Sequence, residues 1–198
     1  MSLRERGADL VRAARKDDVR ALSRRYFVAN GFDGVLTSIG IVVGAYLSGV
    51  TEGRLIVMIG LGAAVGLGTS GVWSVWEIER AEQRRAQNEL EMAMLTDVED
   101  TLVAREFRAA QVLHASASAS GPVLGIAITL FPLLLEGTVL TLGQSVLAAI
   151  GVGVIALGSV GAYLASISRQ RWYVSAIRMG LAGIVVAALN VLLPGSGP

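Results

Sequence analysis

Five apolar runs, each close to the roughly 20 residues that a helix needs to cross a bilayer, alternate with charged or turn-forming stretches along the chain. The first covers about 32–50 and the second about 55–75, joined by the short turn Thr51-Glu52-Gly53-Arg54. The third covers about 118–135, the fourth about 140–167 and the fifth about 172–193. Backbone crossing hydrocarbon must satisfy its own polar groups, so the pattern predicts an all-α integral membrane protein with five transmembrane helices. Residues 1–27 are too charged for a signal peptide and are expected to form an amphipathic helix on the membrane surface.

The one sizeable polar region between spans is 77–117. Nothing from Glu77 to about Leu95 breaks a helix, so span two is expected to continue unbroken into this region. Thr96-Asp97-Val98-Glu99 has the spacing of a capping box and predicts a second helix running to about His114. The small-residue run from Ala115 to Pro122 should then separate it from span three. The expected organisation is a surface helix at 1–27, spans one and two at 28–76, an acidic helical hairpin at 77–117, and spans three to five at 118–198.

Composition agrees with the pattern: 53% of the 198 residues are hydrophobic, only 17% are charged, and 24 are glycine, a balance far from that of soluble domains. Cysteine is absent, which excludes a disulfide framework and leaves oxygen, thioether or imidazole to hold any metal. The net charge of +1 conceals a strong asymmetry. Of the 17 Lys and Arg, eight lie within 4–25, five between spans two and three, and three at the junction of spans four and five; Arg54 alone falls on the other side. The positive-inside rule therefore places the N-terminus and the hairpin in the cytoplasm and the C-terminus outside or in a lumen. Trp73, Trp76, Trp172 and Tyr173 fall at the cytoplasmic interface on this reading, where amphipathic rings are favoured.

Chemistry is sparse and localised. Asp33 stands at the mouth of span one beside Thr37 and Ser38, where a carboxylate is costly enough that it usually has a job; the alternative is an N-cap of the helix that follows. On the hairpin, Glu79, Glu82 and Glu89 fall within roughly 80° of one another on a 3.6-residue helix, and Glu99 and Glu106 share a face of the second helix. Carboxylates converging from two helices can ligate a hard divalent cation, and Met92 with Met94 would tilt the preference toward a transition metal. The alternative is a solvated surface of Glu–Arg pairs. His114, the single histidine, reads more readily as an interfacial or capping residue than as a ligand, since one His cannot make a zinc site.

Gly40 with Gly44, Gly62 with Gly66, Gly121 with Gly125 and Gly180 with Gly183 are small-residue pairs that permit close helix packing, within a subunit or between subunits. Pro132 in span three should free a carbonyl that Thr129 could help satisfy. Phosphate-loop, dinucleotide-binding, nucleophile-elbow and zinc-protease motifs are all missing, so enzymatic activity is not expected. Nucleic acid is not an expected partner either.

The run Asp33-Gly34-Val35-Leu36-Thr37-Ser38-Ile39-Gly40-Ile41-Val42-Val43-Gly44 resembles the opening span of the vacuolar iron transporter family of divalent iron and manganese transporters. Residues 121–132 are similar to that family's third span and 177–183 to its fifth. The resemblance implies export of Fe²⁺ or Mn²⁺ from the cytosol, in exchange for protons, by a homodimer in which Asp33 lies on the metal path, with Thr37 and Ser38 expected beside it there, and the cytoplasmic helices gather metal. The metal is then substrate, and no cofactor is implied. The chain departs from the family in span two, where Leu67 and Gly71 occupy the positions of a pathway Met and Glu. That departure keeps two alternatives open: a membrane-anchored metal-binding or sensing protein without transport, and a transporter of another small solute.

Overall fold

The computed structural model describes residues 3–94 and 102–192. Six α-helices follow one another: α1 (Leu3–Ala14), α2 (Asp17–Leu47), α3 (Gly53–Met94), α4 (Leu102–Leu130), α5 (Leu142–Ser168) and α6 (Trp172–Val191), with a 3₁₀ turn at Phe131–Leu135 between α4 and α5. No strand occurs among the described residues. Helices α2 to α6 are the five that are long and apolar enough to cross a membrane, as expected of a multi-pass membrane protein. The predicted capping box at 96–99, and with it Glu99, lies outside the described residues.

Two boundaries differ from expectation. Helix α2 starts at Asp17, well before the apolar run, because Asp17 and Asp18 in its first turn suit the positive end of the helix dipole and nothing before Leu47 forces a break. Helix α4 likewise runs through the Ala-Ser stretch and through Pro122, so the hairpin's second helix and span three are one element. Pro132 falls beyond the α-helical part of span three: α4 ends at Leu130, and Pro132 sits in the first turn of the 3₁₀ segment, a position where its missing N–H costs nothing. Thr129 instead donates its hydroxyl to the Gly125 carbonyl at 2.8 Å, in its own helix.

The chain forms two compact units, one of residues 1–27 with 68–120 and one of 28–67 with 121–198. In the second unit α2 and α4 meet backbone to backbone. A Cβ on Gly34 would lie 2.5 Å from Pro122 Cα and 2.7 Å from the Pro122 carbonyl oxygen, and one on Gly125 would lie 2.8 Å from the Gly31 carbonyl oxygen. Only glycine permits that approach. Ile39, fully buried, then fills the space opposite Gly153 of α5 and Gly183 of α6. Val35, Val43 and Leu157 complete that cluster, and Val42, Ile56, Ile126, Leu130 and Leu133 form a second one.

Polar groups close the ends of this unit. Glu136 Oε2 accepts a hydrogen bond from the Gly53 backbone N–H at 2.5 Å, placing a carboxylate on the orphan donors that open α3. Thr141 and Gln144 cap α5 reciprocally, each side chain bonded to the other's backbone N–H.

Two substitutions check this account of the packing. Glu136→Ala should cost about 1 kcal/mol through loss of the cap, and Gly34→Ala about 1–3 kcal/mol through overpacking. Gly151→Ala, whose Cβ would meet open space, serves as the control. Denaturation in detergent reads all three, and a Gly34→Ala variant as stable as Gly151→Ala would contradict the close contact.

Candidate functional site

In the first unit α3 and α4 are laced together by side chains that reach across to backbone carbonyls. Ser118 Oγ donates to the Gly71 carbonyl at 3.0 Å, Gln111 Nε2 to the Trp76 carbonyl at 2.9 Å, and Gln83 Nε2 to the Phe107 carbonyl at 3.0 Å. As numbering rises along α3 it falls along α4, so the two helices run antiparallel here. Carbonyls of a helix already accept one bond each, and a second donor from a neighbour fixes the register without any salt bridge.

The hairpin acids divide into two kinds. Glu82 is exposed, Glu89 pairs with Arg85 Nε at 3.1 Å, and Glu106 pairs with Lys16 Nζ at 2.6 Å. Met92 is 71% exposed. Glu79 differs, because it is turned into the packed side of α3 and is mostly enclosed. Its Oε1 accepts a hydrogen bond from the Tyr26 hydroxyl at 3.1 Å and lies 3.2 Å from His114 Nδ1. Tyr26 precedes the apolar run that begins at Phe32, and its hydroxyl is the donor in that bond, since a carboxylate can only accept. His114 is buried and lies in the interior of α4, so it caps no helix end. Among the described residues no three His, Asp or Glu side chains gather into one cation-binding group.

Asp33 is in the interior of α2. The backbone N–H groups after it are already bonded within the helix, which rules out the N-cap reading. Gly34, the next residue, faces Pro122, and Asp33 is turned away from that contact and exposed. Between Val28 and Ala45 only Ala29 and Asp33 are exposed positions of α2, and they lie one turn apart on one face. No hydrogen bond or ion pair engages Asp33 among the described residues. Thr37, one turn on, is half-buried. Ser38 is fully buried and donates its hydroxyl to the Val35 carbonyl at 2.8 Å.

The two span-two positions are filled by packing. Leu67 lies against the cluster around Ile56 and Leu130. A Cβ on Gly71 would stand 2.9 Å from Ser118 Oγ and 3.1 Å from the Ser118 carbonyl oxygen, so no side chain fits there while α3 and α4 keep this register. Gly71→Glu should therefore disrupt the α3/α4 pair rather than add a ligand, and its melting temperature in detergent should fall by several degrees. An unchanged melt would show that the pair can open at this point.

No family model matches the chain. Over 172 residues it is 24% identical to an uncharacterized protein, MJ0645, of Methanocaldococcus jannaschii, a match that covers 85% of this chain and 87% of that protein. The similarity thus extends over nearly the whole of both chains.

Proposed function

We propose that the chain is a divergent relative of the vacuolar iron transporters, and that as a homodimer it exports divalent transition-metal cations such as Fe²⁺ or Mn²⁺ from the cytosol in exchange for protons. One observation carries the reading: the Asp33 carboxylate sits on the outer face of a membrane-crossing helix with no partner among the described residues of its own protomer. A carboxylate facing hydrocarbon is costly. A second protomer laid against that face, enclosing a hydrated path, removes the cost. On such a path Asp33 alternates between cation and proton, because a low-dielectric site does not keep an uncompensated charge. Thr37 and backbone carbonyls supply neutral oxygens nearby, and exchange follows from the competition for one carboxylate.

The reading places the N-terminus and the 77–117 helices on the cytosolic side, in line with the distribution of Lys and Arg. A second reading, a membrane-anchored metal-binding or sensing protein, is favoured by one contact. Gly71 packs against Ser118 where the resembled family carries an acid, so the path has one protein carboxylate per protomer in place of a richer ligand set.

Flux separates the two. In proteoliposomes loaded with a metal-sensitive dye, Fe²⁺, Mn²⁺ or Co²⁺ should enter in a manner driven by an opposing proton gradient, and Asp33→Asn should reduce entry to the level of empty liposomes. Absence of flux for all three metals with the wild type would sink transport and leave the binding reading.

A further inference from the structure

His114 is the chain's single histidine and it is 4% exposed. Neither ring nitrogen has a hydrogen bond among the described residues. Its Nδ1 is 3.2 Å from Glu79 Oε1, close enough for an ion pair, yet out of line for a hydrogen bond. Buried polar nitrogens are ordinarily satisfied, and one that is not calls for a missing partner. The neighbouring side-chain amides do not provide it, since Gln111 and Gln83 are committed to the Trp76 and Phe107 carbonyls. The Tyr26 hydroxyl is spent on the same Glu79 oxygen, with its ring 5.9 Å from the imidazole and tilted by 54°.

We propose that His114 and Glu79 together bind one divalent transition-metal ion, with Tyr26 holding the carboxylate in place. Bonds of about 2.0–2.2 Å from one metal to a nitrogen and an oxygen set those two atoms about 3–3.4 Å apart, which is the separation found here. An ion seated there gives the imidazole lone pair an acceptor and the carboxylate a counter-charge, and water completes the coordination from the partly open Glu79 side. An imidazole paired with a carboxylate selects Zn²⁺, Co²⁺, Fe²⁺ or Mn²⁺ over Mg²⁺ and Ca²⁺, which prefer all-oxygen shells. Tyr26 is a positioning residue: it donates to the ligating carboxylate and touches no metal, an arrangement that typically contributes ten- to a hundredfold in affinity. The site draws its ligands from two helices and its orienting hydroxyl from a third, and it uses none of the exposed acids Glu82, Glu89 and Glu106. As a holding place for cargo it rests on the transport reading; binding itself does not require flux.

Because there is one histidine, isotope labelling isolates it. Full-length protein without an affinity tag, carrying ¹⁵N-labelled histidine and reconstituted in nanodiscs, should show its imidazole nitrogen resonances shifted by Zn²⁺ and broadened by Co²⁺. An equal concentration of Mg²⁺ should do neither. Co²⁺ affinity by calorimetry should fall ten- to a hundredfold in Tyr26→Phe, and by a larger factor in His114→Ala and Glu79→Gln. Imidazole resonances unmoved by saturating Zn²⁺, or wild-type Co²⁺ affinity in a folded His114→Ala, would overturn the site. Should His114→Ala not fold, the labelled wild-type protein decides the matter alone. Shifted resonances without flux would sink transport and leave the site standing, while flux with unmoved resonances would sink only the site.

Discussion

The contact on which the rest of the membrane-crossing unit depends is the backbone-to-backbone approach of α2 and α4 at Gly34, Pro122 and Gly125. Lipid tails are as apolar as leucine, so helices in a bilayer gain little from merely hiding side chains and must instead pack closely. Glycines on both helices provide that closeness. Once it is made, Ile39 is carried into the space opposite Gly153 and Gly183, and α5 and α6 close over it. The same contact orients α2 about its axis. With Gly34 and Val35 turned inward, the preceding residue is turned outward, and Asp33 is left on the free face.

The spans were readable because apolar length is a direct requirement of the bilayer, and the start of α3 and both ends of α5 and α6 follow the apolar runs closely. The beginning of α2 was not, since a change from polar to apolar composition marks a change of solvent and not a break in hydrogen bonding. The same holds for α4, where Ala, Ser and Pro122 suggest a separator and the helix runs on. Pro122 is accommodated within the helix and packs against Gly34, a partner far away in sequence. Thr141 and Gln144 had the spacing of a capping box and could have been read from the chain alone. Glu136 could not, because its acceptor role depends on a helix start 83 residues earlier.

The candidate chemistry was legible in kind and not in grouping. Helical spacing put Glu79, Glu82 and Glu89 on one side of α3, but which of them is enclosed depends on where α4 lies. The pairing through Gln83, Gln111 and Ser118 turns Glu79 toward His114 and leaves the other two to solvent and Arg85. His114 looked like a helix end because the run of small residues after it looked like a loop. The helix continues, and the histidine is enclosed. Gly71 shows the same dependence in reverse, since its lack of a side chain is a condition of the α3/α4 register and not only the loss of a ligand.

On the proposed transport function, Asp33 faces water enclosed within the assembled protein, although it projects from the free face of a membrane-crossing helix. The absence of cysteine permits a direct measurement: the rate at which a small water-soluble thiosulfonate modifies a single cysteine in intact membranes. The account predicts rapid modification of Asp33→Cys and negligible modification of Ile155→Cys, an exposed apolar position on α5. Equal and negligible rates at both positions would place Asp33 against lipid and contradict it.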